Sequence, residues 1–128
     1  MKRGENGDKI IREVIRGERP WTDLRSAGIE VQLQGDRFHI ENPHQARAAA
    51  DIHDLAQGLI AHLKDGRELR SWAFLLQAES FVDWADGENH PAWEALWDAV
   101  WSASFGDPIS EDAIRLAGKL VQERQSPV

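Results

Sequence analysis

The chain contains no cysteine among its 128 residues. This absence excludes disulfide bonds, thiol-based catalysis and zinc sites built from cysteine ligands. A composition of 41% hydrophobic and 29% charged residues is typical of a globular protein, and a chain of this length can bury a core without crosslinks. We therefore expect one globular domain over residues 1–128, with residues 1–7 and 125–128 flexible.

Long apolar segments are also absent. The longest lie around residues 72–76 and 99–103, and both are far too short to cross a bilayer. The first residues lack the apolar region of a signal peptide. These observations favour a cytoplasmic protein without a membrane partner.

Lysine and arginine are missing from one long stretch of the chain. Between Arg70 and Arg115, 44 residues carry nine acidic side chains and five of the six tryptophans. Residues 71–128 alone sum to −7, which equals the net charge of the whole chain. Because an acidic surface repels phosphate groups, we expect no nucleic-acid partner and favour a basic protein partner.

Motifs for catalysis and cofactor binding are absent as well. The serines lie outside any G-x-S-x-G pattern, no glycine loop resembles a phosphate cradle, and the five histidines lack paired metal-ligand spacing. The acidic segment from Asp83 fails the calcium-loop pattern, since its third and fifth positions are Ala85 and Gly87. The sequence therefore predicts no cofactor and no metal, and it leans against an enzyme.

The clearest local pattern is a β-hairpin. Residues 29–34 and 37–41 both alternate between apolar and polar side chains, and Gly35-Asp36 supplies a two-residue turn between them. This turn pairs Val31 with Ile40 and Leu33 with Phe38, so all four apolar side chains share one face. We predict that this face is buried and that Gln32 and His39 are exposed.

Helical patterns occupy most of the remaining chain. We predict that Asp8 and Ser110 cap the first and last helices, and that Gly28 and Gly66 end two others. Pro43 can open a further helix, whose continuity with the next one stays open. The predicted fold is α+β, mainly helical, with one antiparallel hairpin and five or six helices, over residues 9–16, 20–27, 51–64, 67–84, 91–103 and 111–124.

Trp93, Trp97 and Trp101 are spaced four residues apart on one predicted helix. Together with Leu96 and Val100 they form a continuous apolar stripe. One interpretation is a core face, which we favour because stripes of this spacing usually pack inward. The alternative is an aromatic groove for a ligand or a peptide.

The acidic side chains near this helix are the candidate binding residues. Glu94 and Asp98 lie four apart on its opposite face, and like charges at this spacing destabilise a helix by about 0.2–0.5 kcal/mol. One interpretation is a solvated face that keeps the protein soluble. The other, which we put forward as a hypothesis, is a contact surface for a basic partner with an aromatic anchor, formed by Asp83, Trp84, Asp86, Glu88, Glu94 and Asp98.

In size, acidity and lack of cysteine, the chain resembles the immunity proteins encoded beside bacterial toxins, and it is broadly similar to an uncharacterised bacterial family. The resemblance implies a protein-binding module that neutralises a basic toxin or effector. Two alternatives belong to other classes. One is an effector or secretion chaperone, and the other is a small-molecule-binding protein or enzyme with a tryptophan-lined pocket.

Overall fold

The computed structural model describes residues 3–34, 37–43, 45–78, 82–84 and 89–125. Residues 1–2 and 126–128, part of the termini that we expect to be flexible, lie outside these ranges. Within them the domain is α+β and mainly helical, as predicted, with the elements α1 (Arg3–Ile15), a 3-10 helix (Trp21–Ala27), β1 (Glu30–Gln34), β2 (Arg37–Glu41), β3 (Ala48–Ala50), α2 (Ile52–His62), α3 (Gly66–Ala78), β4 (Val82–Trp84), α4 (Trp93–Ser104) and α5 (Glu111–Gln125).

The hairpin forms with the predicted register. β1 and β2 are antiparallel, and Val31 pairs with Ile40 while Gln32 pairs with His39. Val31 and Ile40 are half-buried against the core and so less buried than predicted, whereas Gln32 and His39 are exposed, as predicted. The side chains of Leu33 and Phe38 lie outside those that the structure describes, so their predicted burial stays a prediction.

The predicted cap of the first helix is wrong. α1 begins at Arg3, so Asp8 lies inside the helix instead of at its N-cap. The following short helix forms over Trp21–Ala27 in the tighter 3-10 form, with Pro20 at its N-cap instead of at its first position, and it buries Leu24 completely. Gly28 ends it with a φ of 85°, a left-handed conformation that glycine adopts without steric cost.

The predicted helix after Pro43 does not form. The Asn42 side chain accepts a hydrogen bond from the Ala46 N–H and donates one to the Ala46 carbonyl, both at 2.9 Å. This local ring holds the chain in a turn instead of a helix. Ala48 and Ala50 are buried and Ala49 is exposed, the alternation of a strand, and β3 is separate from α2.

Gly66 begins a helix and does not end one. α2 ends at His62, and α3 begins at Gly66. The reason is Asp65, whose carboxylate accepts hydrogen bonds from the backbone N–H groups of Arg67 and Glu68 at 3.0 and 3.3 Å. An aspartate in this position is a favourable N-cap.

The predicted helix over 67–84 is too long. α3 ends at Ala78, and Val82–Trp84 forms β4, which pairs in parallel with β3. Val82 is buried and Asp83 is exposed, so this short segment follows the period of a strand. Its pairing with β3 overrides the helical pattern that we predicted for these three residues.

The first three α-helices meet closely at Gly58. A Cβ atom at this position would overlap the carbonyl oxygen of Ile15 and the indole ring of Trp72. The missing side chain allows Trp72 Nε1 to donate a 3.0 Å hydrogen bond to that carbonyl. Leu55 and Leu59 of α2 are fully buried beside it, so α2 lies at the centre of the core.

A buried carboxylate of α2 forms hydrogen bonds with one residue next to α1 and one residue of α5. Asp54 accepts 2.6 Å hydrogen bonds from Arg16, which follows α1, and from Arg124 of α5. Asp54 and Asp51 also cap each other's backbone N–H groups at the start of α2. Burial opposes ionisation of Asp54, but the hydrogen bonds from Arg124 and Arg16 outweigh it and lower its pKa.

α5 begins as the sequence predicts. The Ser110 hydroxyl accepts a hydrogen bond from the Ala113 N–H at 3.2 Å, and the helix packs mainly along α2. Ala113, Ala117 and Leu120 form its buried stripe. Among the described residues, no helix is both long and apolar enough to cross a membrane.

Candidate functional site

α4 presents two different faces. Leu96, Ala99, Val100 and Ala103 are buried in the core, whereas Trp93 and Trp97 are half-buried and Trp101 is 55% exposed. The prediction that all three tryptophans belong to the core is therefore wrong for Trp101. Each four-residue step turns about 40° beyond a full helical turn, so a series spaced only by four drifts off the buried face.

The two half-buried indoles of α4 stack on each other. The rings of Trp93 and Trp97 lie 5.1 Å apart and are inclined by only 10°. Trp84, which lies on β4 beside Ala50 of β3, approaches them edge-on, with ring distances of 5.5 and 5.9 Å. These arrangements suit the charge distribution of aromatic rings. The parallel β3–β4 pair thus holds Trp84 against the surface of α4.

A cleft of about 460 Å³ lies beside the stacked indoles. Glu94 and Asp98 line one side of it, and both carboxylates are exposed. Within the ranges that the structure describes, neither forms an ion pair. The remaining wall is formed by residues that lead into the helix, Asn89, His90 and Pro91.

His90 sets the beginning of α4. Its Nδ1 accepts a hydrogen bond from the Ala92 N–H at 3.0 Å, and its carbonyl accepts one from the Trp93 N–H at the same distance. The helix therefore begins at Trp93, two residues after the predicted start at Pro91. His90 also lies 6.3 Å from the ring of His53. No group of three or more metal-binding side chains is found in the described part of the chain.

Asp83 differs from Glu94 and Asp98, because it has a cationic partner from a distant part of the chain. Arg47, just before β3, forms an ion pair and several hydrogen bonds with its carboxylate. The hydrogen bond from Arg47 lowers the pKa of Asp83. In the sequence, Asp83 lies far from any lysine or arginine on either side, but the fold brings Arg47 to it and neutralises its charge. Asp86 and Glu88 lie outside the described residues.

The outer surface of α4 carries a stripe that the sequence analysis missed. The prediction that Glu94 and Asp98 lie opposite the tryptophans is wrong, because they line one cleft with Trp93 and Trp97 and share a side of the helix with Trp101. Glu94, Asp98, Trp101 and Phe105 follow the spacing i, i+4, i+7, i+11, which places them within about 60° of each other around the helix axis. We call these four residues the α4 stripe. Its first half is acidic and its second half is aromatic. The alternation of three- and four-residue steps was present in the sequence and is the signal that identifies it.

The aromatic half of the α4 stripe borders a groove between α3 and α4. Trp101 and Phe105 are 55% and 60% exposed, and their rings pack edge-on at 5.3 Å. The groove has a volume of about 180 Å³, and its other walls are Phe74, Gln77 and Ser104. The site as a whole therefore offers carboxylates for cations and indole and phenyl faces for stacking, which is the chemistry of binding.

Comparisons with known proteins give no relative. The chain matches no protein-family model, and no match was found among curated proteins or among solved structures.

Proposed function

We propose that this chain binds a basic protein partner through the acidic half of the α4 stripe and the neighbouring indoles, in the manner of an immunity or inhibitor protein. The observation that carries the proposal is the position of Glu94 and Asp98. They are exposed, they have no ion pair among the described residues, and they flank a cleft walled by stacked tryptophans. This combination suits an arginine or lysine side chain.

The two contributions to such a contact differ in strength and in role. A cation over an indole face contributes about 0.5–2 kcal/mol, depending on how far it is desolvated. Exposed carboxylates contribute less to affinity, but they steer a basic protein during encounter. The pair therefore supports fast association, with the tryptophans supplying the lasting contact.

The local arrangement also favours function over a purely solubilising role. Glu94 and Asp98 repel each other at four-residue spacing, at a cost of about 0.2–0.5 kcal/mol. Asp83, nearby on β4, is by contrast paired with Arg47. The chain thus leaves two carboxylates without a described cation beside its aromatic cleft.

The test is a double charge reversal, Glu94→Lys with Asp98→Lys. The matched control is Glu30→Lys with Glu41→Lys, two exposed acids that pair across the hairpin. Each reversal adds two charges, so both double variants change the net charge from −7 to −3. Association with a candidate partner, from the neighbouring gene or a pull-down, is measured by stopped flow at several salt concentrations.

We expect the α4 variant to slow association at least tenfold and to flatten its salt dependence, because the steering charges are removed. The hairpin control should show a smaller change, due to net charge alone. Equal rates for the two variants would mean that the acids of α4 only keep the surface solvated.

A chaperone function is the second candidate, and the exposed aromatic groove beside Trp101 and Phe105 is the observation that favours it. The volume of the groove counts against it, however, because about 180 Å³ suits one side chain better than an extended polypeptide. The small-molecule or enzyme alternative rests on the cleft beside Trp93 and Trp97. The volume of this cleft, about 460 Å³, lies within the usual range of ligand pockets, but one of its walls is acidic and exposed.

A further inference from the structure

The exposed aromatic pair at the end of α4 is an apolar feature of the described surface that the proposed acidic contact leaves unused. Within the described residues, Trp101 and Phe105 are the two large hydrophobic side chains that are mostly exposed. They border the groove at the α3–α4 junction, which is smaller than the usual small-molecule pocket. A groove of this size, with mainly aromatic walls and the amide of Gln77, fits one apolar side chain.

The geometry of the α4 stripe connects this groove to the acidic half. The midpoint of Glu94 and Asp98 lies seven residues before the midpoint of Trp101 and Phe105, which corresponds to about 10 Å along the helix axis. This helical spacing places all four residues, the last of them at the C-cap, on the same side of α4. A single segment lying along the helix can therefore touch both halves at once.

We propose that the groove receives an apolar anchor side chain of the same basic partner, whose docking segment carries cations and the anchor about 10 Å apart. This inference rests on the proposed function, since the partner's charge is taken from the acidic half of the stripe. On a helical segment the spacing corresponds to about seven residues, and on an extended segment to about three.

The charges on α4 argue for this occupant over a second copy of the chain. Parallel packing of two α4 stripes would set carboxylates against carboxylates. Antiparallel packing would set Glu94 and Asp98 against the aromatic faces of the other copy, whose negative quadrupoles repel anions. Both arrangements desolvate carboxylates without supplying a cation. A segment with cations in one half and an apolar side chain in the other satisfies both halves of the stripe.

The experiment uses three synthetic helical peptides as probes. The first has two arginines four residues apart and two leucines placed seven residues after them. The second replaces the leucines by serine, and the third replaces the arginines by glutamate. Their binding to the full chain is measured by fluorescence anisotropy, for the wild type, for Trp101→Ser with Phe105→Ser, and for Glu94→Lys with Asp98→Lys.

We expect the arginine–leucine peptide to bind the wild type at least tenfold more tightly than the arginine–serine peptide. The Trp101→Ser/Phe105→Ser variant should abolish this difference and leave binding of the arginine–serine peptide unchanged. The Glu94→Lys/Asp98→Lys variant should weaken both arginine peptides. The glutamate peptide should not bind the wild type.

The two proposals fail in different ways. Equal binding of the arginine–leucine and arginine–serine peptides, with loss of both in the Glu94→Lys/Asp98→Lys variant, would overturn the anchor and leave the basic partner standing. Binding of neither arginine peptide, or binding insensitive to that variant, would overturn both. A wild-type dimer that Trp101→Ser/Phe105→Ser converts to a monomer in sedimentation would make a second copy the occupant and overturn the anchor.

Discussion

Trp72 donates its indole N–H to the carbonyl oxygen of Ile15 at 3.0 Å, and the bond passes beside Gly58. Three helices therefore meet where one of them has no side chain. The bond also satisfies two buried polar groups, each of which would cost about 1–3 kcal/mol if left without a partner. This junction joins α3 to the end of α1, and α3 in turn packs against α4.

The first prediction concerns Gly58→Ala. Alanine normally stabilises a helix interior by about 0.5–1 kcal/mol relative to glycine. At this position the new Cβ would overlap the Ile15 carbonyl and the Trp72 ring, and overpacking of this kind costs about 1–3 kcal/mol or more. We therefore expect a net loss of stability in urea unfolding.

Gly118→Ala on α5 is the matched control, because nothing lies within 4 Å of a Cβ at that position. It should gain about 0.5–1 kcal/mol. A stabilising effect at Gly58 equal to that at Gly118 would contradict the close junction.

The second prediction separates the two faces of α4. Leu96→Ala should cost about 2–5 kcal/mol, since Leu96 is fully buried and its truncation leaves a cavity. Trp101→Ala should stay within about 0.5 kcal/mol of the wild type, as is usual for exposed positions. Trp97→Ala should fall between them. Chemical unfolding of the three variants checks this order. A large loss of unfolding free energy in Trp101→Ala would mean that Trp101 is part of the core.

The same helix shows what the sequence could and could not reveal. Local sequence was sufficient for the β1–β2 register, because turn length and side-chain alternation agree in the hairpin. It was also sufficient for the Ser110 cap, because a serine oxygen is a favourable acceptor at a helix N-terminus. It failed at β3 and β4, where Ala48–Ala50 and Val82–Trp84 become strands only by pairing across more than thirty residues. It also failed to pair Asp83 with Arg47, because a charge partner is set by topology and not by sequence distance.

The third prediction follows from Asp54. Its pKa is lowered in the folded state, so its contribution to stability is present above the unfolded value of about 3.9 and is lost as pH falls through the folded value. Asp54→Asn should cost about 2–3 kcal/mol near pH 7, because two charge-assisted hydrogen bonds weaken while both arginines keep some access to water. The variant should also lose less stability than the wild type on acidification below about pH 4. Parallel acid profiles would contradict this role.

The fourth prediction concerns His62, which packs against Trp72 with a ring distance of 5.3 Å. Burial lowers the pKa of His62, although Glu68 and Asp65 act in the opposite direction. His62 therefore binds a proton more readily in the unfolded chain than in the folded one. The contribution of neutral His62 to folding stability is complete above about pH 6.5 and declines below it. Unfolding between pH 7 and 5 should show this decline, and His62→Gln should reduce it. A His62→Gln variant that keeps the wild-type slope would contradict this role.

The last prediction tests whether the neutralised acid on β4 can be added to the binding surface. Arg47→Gln removes the cation that pairs with Asp83 and leaves that carboxylate exposed near Trp84. If a basic partner approaches this face, the change should speed its association, most clearly at low salt, because the local field becomes more negative.

Arg115→Gln is the matched control, since Arg115 is exposed and pairs with Asp112 three residues before it on α5. Both variants remove one positive charge, so the net charge changes from −7 to −8 in each. Stopped-flow association should rise more for Arg47→Gln than for Arg115→Gln, since only Arg47 neutralises an acid on β4, the strand that carries Trp84. Equal increases would show that association depends on the total charge of the chain and not on the field around the cleft. That result would count against the cleft as the binding surface.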